Sequence, residues 1–549
     1  MIKTKFAKST VSAAFTALLL VHTPATASTP VDIQQADSVV EQANSPWVDS
    51  AGFTSSNVDQ LAKQIQNSTL HGLNPANYQF EKIVDLNNQL KTGNLSEQER
   101  QKTAARLETI MDEAFYKLAD HVGSSLVEGR DVHDYYYRSS PKPDLKSYYE
   151  LVKHGQFSID EVFSSIAPTD TGYVLLQDEL QNLLYEKNSG VQRTQVPNAD
   201  VLVEGDTSEV VRSAKLRLIE THDFDGSSGV DDFFDTTFKD AVITFQNRHH
   251  ISPTGELNEK TIAAMNRSVK DDITDVVVSL ERMRWLPRDL GHQRVVANIP
   301  DYRVRMYNGE QKIADMAVVV GKRKHRTPQF SETIKHVVAA PTWTVPASIA
   351  NNELVPLERK NPGYLERNNY ELLGWENGKF KAVPFSQVSR STYNRNPFPY
   401  TIRQKAGEDN ALGDVKILMP NKYAIYFHDT QAKDLFGRER RAFSHGCVRL
   451  HDPDRLASLL LQLDGVSQEK TQSFLESTKT NQYDLDQHVD SHIIYLTTFI
   501  DDAGRIQFRD DIYSYDKKTV KALSKNSLIS IINRDNSRTI LSDIDNLSI

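Results

Sequence analysis

The spacing of apolar residues changes character near residue 290, so no single regular architecture accommodates both halves of the chain. Before that point the pattern is helical: Leu107, Ile110, Met111, Ala114, Phe115, Leu118 and Val122 recur three or four residues apart, the stripe of an amphipathic helix. Beyond it, residues 294–299, 303–307 and 315–320 are short β-rich runs separated by turn residues such as Asn308 and Gly309. Residues 336–340, 415–419, 423–428 and 492–499 continue the strand pattern. A multidomain α+β chain is expected, helices first and a mostly-β domain after. Its 549 residues, 39% hydrophobic and 25% charged, suffice for about three domains of ~150 residues.

Boundaries follow from the same texture. Residues 1–27 read as a signal peptide: Lys3, Lys5 and Lys8, an apolar stretch over 11–21, then Ala25, Thr26 and Ala27 as a small-x-small cleavage site. A helical scaffold is expected over 28–200, closing in a polar linker with Asn188, Ser189 and Gly190. Residues 201–268 carry three helical patterns, the first capped by Asp206 or Thr207 and the third running from Asn258 to Met265. The mostly-β domain is expected over 269–514, opening with a helix near 273–284 before its strands. Its polar, aromatic-rich insert at about 351–412 is too long for a structureless loop and reads as a lid or subdomain with little β-content. The tail, 515–549, has mixed signals and no assignment.

Charge narrows the function. The formal net charge is −9, and losing Lys3, Lys5 and Lys8 takes it to about −12, which excludes a phosphate-backbone binder. An exported chain with a single cysteine, Cys447, cannot form an internal disulfide. A free thiol there is a liability unless it is buried or used. A zinc site is a poor fit, because His249 and His250 lack helical i, i+4 spacing.

The neighbours of Cys447 favour use. His428 falls at the end of an expected strand over 423–428, with Tyr426 and Ala424 on the same face. A loop then leads to Ser444, His445, Gly446, Cys447, Val448 and Arg449, and Asp452 with Pro453 starts a helix. An imidazole can take the thiol proton and a cation such as Arg449 favours the thiolate. Gly446 leaves room for a carbonyl to approach. The amides of Gly446 and Cys447 are candidate oxyanion donors. His445 is read as an orienting or oxyanion residue, and His451 as surface. These are the parts of acyl transfer through a thioester.

His428 followed by the 444–449 run resembles the signature of the L,D-transpeptidase catalytic domain family. The likeness spreads over most of 290–500 through Asn298, Pro300, Asp301 and Tyr302; Gly321, Thr327 and Pro328; Trp343 and Pro346; Arg403 and Gln404; Asn410 and Gly413; Pro420 and Asn421; Asp429 and Thr430. It is most similar to the large Gram-negative subtype, which sets a helical scaffold and a wall-binding module ahead of a catalytic β-sandwich with a capping insert. Gly205, Asp206, Val210, Leu218, Phe245, Gln246, Gly255, Leu257 and Thr261 resemble a small three-helix peptidoglycan-binding domain. Residues 223–232 depart from that pattern, being longer and more acidic.

The resemblance implies a periplasmic enzyme that needs no cofactor or metal and no nucleic acid. Cys447 would attack the third-residue carbonyl of a peptidoglycan tetrapeptide stem and release the terminal D-alanine. The acyl group would pass to a side-chain amine of a second stem, giving a 3-3 crosslink. His428 would be the base, while Arg449, Tyr426, Ser444, His445 and Gly446 would line the donor pocket. In the family, carbapenems acylate this cysteine. An L,D-carboxypeptidase using the same thiol, or a non-enzymatic wall-binding scaffold, are the alternative readings. Cell-wall synthesis proteins are candidate partners.

Overall fold

The computed structural model describes residues 45–533; the expected signal peptide and most of the polar leader lie outside them, as does the end of the tail. Helices Ser56–Asn67, Phe80–Thr92, Glu97–Gly123, Leu145–Lys153 and Ile159–Ile166 enclose one core containing Leu61, Ile83, Leu107, Met111, Phe115 and Val162. The longest of them, Glu97–Gly123, starts at a capping box in which Ser96 and Glu99 each satisfy the other's backbone N–H. Its apolar stripe is the one legible from sequence: Leu107, Met111, Phe115, Leu118 and Val122 are buried.

Three shorter helices follow: Glu209–Glu220, Thr236–Arg248 and Glu259–Met265, packed around Val211, Leu218, Phe238, Phe245 and Met265. The first is capped by Ser208, whose side chain accepts from the Val210 N–H, and not by Asp206 or Thr207. The acidic stretch 223–232 has a structural use. Asp231, with Asp235, pairs the fully buried Lys215 at 2.8 and 2.9 Å, and Asp223 pairs Arg248 at 2.5 Å. Buried cations left without these partners would be costly.

The β domain comprises β1 (Gln293–Asn298), β2 (Arg303–Asn308), β3 (Gln311–Gly321), β4 (Phe330–Ala339), β5 (Trp343–Thr344), β6 (Tyr370–Glu376), β7 (Lys379–Val383), β8 (Thr401–Gln404), β9 (Val415–Leu418), β10 (Phe427–His428), β11 (Ala442–Ser444), β12 (Val448–Leu450), β13 (Asn481–Ile494), β14 (Thr498–Ile500) and β15 (Ile506–Phe508). Nine strands run in the order β11-β3-β12-β10-β9-β4-β13-β1-β2, and β2 also pairs with β3. Eight strands therefore close on themselves around the main core, so the expected sandwich is one continuous sheet and only β11 is an edge.

The insert differs from its expected low β-content. Strands β5-β8-β6-β7 form a separate antiparallel sheet with its own core of Val345, Leu354, Leu372, Phe398 and Ile402. The tail also acquires structure up to Asn533. Helices Asp516–Leu523 and Leu528–Ile532 join Thr171–Ser189 and Val269–Arg284 in a further core, which Ile494 and Leu496 enter from the β domain. Among the described residues no helix is long and apolar enough to cross a membrane.

Candidate active site around Cys447

Register places the candidate residues. In the parallel pair β10 and β12, Phe427 faces Val448 and His428 faces Arg449; in the antiparallel pair β10 and β9, His428 faces Lys416 and Phe427 faces Ile417. Side chains alternate along a strand, so Phe427, Val448, Ile417 and Leu450 all point one way, into the main core, where each is fully buried. The opposite face collects Tyr426, His428, Lys416, Arg449 and, two residues before Arg449, Cys447. The Val448 N–H donating to the Tyr426 carbonyl at 3.2 Å continues the pairing back to the level of Cys447. Three neighbouring strands and the residues leading into two of them thus bring five polar side chains together.

The expected strand over 423–428 is shorter than its sequence suggested. Asn421 Oδ1 accepts from the Tyr423 and Ile425 N–H groups at 3.0 and 3.2 Å, and its Nδ2 donates to the Ile425 carbonyl at 2.7 Å. The resulting turn holds Ala424 at φ +56°, and only Phe427–His428 remain strand. The turn also brings the Ala424 carbonyl to 3.5 Å from the half-buried Cys447 Sγ, which donates to it.

Loop 444–447 is buckled by its own hydrogen bonds. Ser444 Oγ donates to the Cys447 carbonyl at 2.6 Å and accepts from the Gly446 N–H at 3.1 Å. That contact uses one of the two amides expected to serve an oxyanion. Thr327 Oγ1 donates to the Gly446 carbonyl at 2.8 Å. Because a trans peptide points its carbonyl and the following N–H in opposite directions, this bond turns the Cys447 N–H away from Thr327. Among the described residues that N–H has no hydrogen-bond acceptor.

His428 Nδ1 lies 2.5 Å from the Asp429 carbonyl. A carbonyl only accepts, so Nδ1 carries the proton and Nε2 is the basic nitrogen. Burial, then the Arg449 and Lys416 charges, lower its pKa to about 3, although the Asp429 bond works the other way. Burial raises the Cys447 thiol above its ordinary value, against the opposing pull of Tyr426, Lys416 and Arg449. Arg449 therefore favours the thiolate as expected, but burial outweighs it. The resting pair is thiol and neutral imidazole, and among the described residues no hydrogen bond joins them.

The other expected residues have distinct settings. The Tyr426 hydroxyl lies against the sulfur and near the Trp343 indole, and burial and the sulfur raise its pKa. Its ring stands edge-on to His428, centroids 5.5 Å apart. The His445 ring is engaged by the insert instead: Nε2 is 2.7 Å from Glu353 Oε1 and 3.3 Å from Lys322 Nζ. His451 is exposed. Lys416, Thr327 and Glu353 acquire local roles that sequence reasoning did not give them. Lys416 sits on an ordinary alternating strand, and only strand pairing reveals its company. Among the described residues no group of three or more His, Cys, Asp or Glu side chains could hold a metal ion.

A thiol, an imidazole, a phenol and two cations gathered beside a free backbone amide are groups that acyl transfer can use, and comparison with known proteins supplies the class. Residues 292–472 match the family model of the L,D-transpeptidase catalytic domain. Residues 41–180 match that of a scaffold domain, and 207–265 that of the "Putative peptidoglycan binding domain". The chain therefore carries an L,D-transpeptidase catalytic domain behind a scaffold domain and a peptidoglycan-binding domain.

A Haemophilus influenzae protein named "Putative L,D-transpeptidase" is 34% identical over 252 residues, 46% of this chain and 50% of that protein; the chain thus spans half the length of that relative. An L,D-transpeptidase structure from Stackebrandtia nassauensis is similar over 55% of this chain and 97% of its own, at 12% identity and TM-score 0.21. One from Mycobacterium smegmatis is similar over 37% and 58%, at 11% identity and TM-score 0.17. Neither structural likeness adds to the fold described above.

Proposed function

We propose that this protein is a periplasmic L,D-transpeptidase that forms 3-3 crosslinks in peptidoglycan, with Cys447 as nucleophile and His428 as general base. The observation that carries the reading is the juxtaposition: His428 and Arg449 lie side by side on paired strands, and Tyr426 and Cys447 are close to them in the residues that lead into those strands. In the proposed reaction Sγ attacks the third-residue carbonyl of a tetrapeptide stem. The terminal D-alanine leaves, taking a proton relayed by His428, and a thioester remains. The amine of a second stem attacks the thioester and restores the thiol. Because the resting pair is neutral, proton transfer accompanies the attack. The Cys447 N–H receives the developing oxyanion. The domain over 207–265 holds the enzyme on the wall. Incubation with tetrapeptide muropeptides tests this: the expected product is a dimer with released D-alanine. Tripeptide monomers alone would replace transpeptidation with L,D-carboxypeptidase activity, and unchanged substrate would reject both.

A further inference from the structure

Two cations near Cys447 have no anionic partner among the described residues. Lys416 faces His428 across the β9–β10 pair. Its Nζ stands 4.0 Å from the centre of the Tyr426 ring, the ring whose hydroxyl meets the sulfur. Among the described residues it makes no ion pair or hydrogen bond. Arg449 faces His428 from the other side, on β12. Its Nε is buried without a hydrogen-bond acceptor, and among the described residues its guanidinium has no carboxylate partner. Elsewhere the buried cations Lys215, Arg248 and Arg284 each meet a carboxylate, whereas Arg138 is held by a hydroxyl and a carbonyl. Two half-buried positive charges without a carboxylate partner, flanking one imidazole, are less favourable there than with a ligand that supplies the counter-charge.

We propose that Lys416 and Arg449 form the seat for a carboxylate of the acyl donor, with Lys416 as an unassigned specificity-determining residue. This deepens the transpeptidase reading and rests on it for the identity of the donor. A D-amino-acid leaving group bears its α-carboxylate one carbon from the scissile nitrogen, so a carboxylate must lie close to the attacked carbonyl. A carboxylate on the third residue would have to sit on its side chain, further from the attacked carbonyl when that side chain is long. Both have the chemistry the seat selects. Occupancy would also neutralise the charges that suppress His428, making the base stronger when the donor is bound.

Alkylation of Cys447 in the full-length protein separates the seat from the overall reaction. Iodoacetate carries a carboxylate and iodoacetamide does not, while both lose iodide to the same sulfur. Their rate ratio therefore cancels any change in thiol ionisation. The expected ratio, iodoacetate over iodoacetamide, falls about tenfold or more in Lys416→Met and is largely kept in Lys416→Arg, with both variants retaining the native melting transition. A ratio unchanged in Lys416→Met would overturn the seat. Tetrapeptide donors amidated at one carboxylate at a time then identify the source: the amide that raises KM in the native enzyme but not in Lys416→Met marks the seated group. No effect of either amide on the native enzyme would also overturn the proposal. If the alkylation ratio behaves as expected but no dimers form from muropeptides, the seat stands and the transpeptidase reading falls.

Discussion

At the residue scale, many positions that carried the sequence likeness turn out to fix backbone rather than perform chemistry. Gly413 has φ +59°, and a Cβ there would sit 2.1 Å from an Asp429 carboxylate oxygen, displacing the residue whose carbonyl orients His428. Asn421 shapes the turn that presents the Ala424 carbonyl. Thr327 is fully buried; its hydroxyl accepts from the Gly321 N–H at 2.8 Å and donates to Gly446. Thr327→Val keeps the volume but removes both bonds. The expected cost is about 1–3 kcal/mol of stability and an acylation rate roughly tenfold lower, because the Cys447 N–H is no longer held in place. Thermal melting and single-turnover acylation measure the two effects. An undiminished acylation rate would show that the hydroxyl does not position this amide. Cys447 stood out as a candidate because it is the single cysteine, and His428, one of 16 histidines, only through its place before the 444–449 run. Lys416 did not, since lysine on a strand ordinarily signals solvent and only the pairing partner tells otherwise.

At the element scale, the insert is the part that sequence described least well. Its strands are short and separated by turns; β6 and β7 pair as a local hairpin, but the sheet is completed by partners further off, Tyr370 with Gln404 and Trp343 with Gln404. Its hold on the loop before Cys447 is slender. Glu353 lies in a single π-helical turn, Ala350–Leu354, a form enriched at functional sites, and meets the half-exposed His445. Such a pair contributes little to global stability, about 0–1 kcal/mol. Glu353→Ala is therefore expected to leave the melting temperature nearly unchanged while amide exchange over residues 346–360 speeds up several-fold. Exchange equal to that of the native protein would mean that other contacts hold the insert down.

At the scale of the whole molecule, the helical and β parts are fastened together by polar networks that no local pattern announces. His133, 1% exposed, stacks on Tyr515 with centroids 4.1 Å apart. It also contacts Gln329 at 3.0 Å and Thr519 at 3.1 Å, so one imidazole ties the scaffold, the β domain and the final helices. Burial and the Arg282 charge hold it well below the ordinary histidine range. The tail resisted assignment because its partners are remote: Asn74 reaches Ser530 at 3.0 Å across 456 residues of sequence. The three-helix domain is also attached through a distant partner, His249 stacking on Phe508 with centroids 4.8 Å apart. Removing residues 205–267 should weaken pelleting with sacculi far more than turnover of soluble muropeptides. Equal pelleting of the full-length and shortened proteins would contradict a wall-binding role for this domain.

The central claim is that Cys447 carries an acyl group derived from the stem. Intact-protein mass spectrometry after brief exposure to tetrapeptide donor tests it most directly. The predicted result is a covalent adduct equal to the donor less D-alanine, mapped to Cys447, cleared by added acceptor amine and missing from a folded Cys447→Ala protein. Dimer formation that persists in Cys447→Ala, or an adduct on any other residue, would contradict the account.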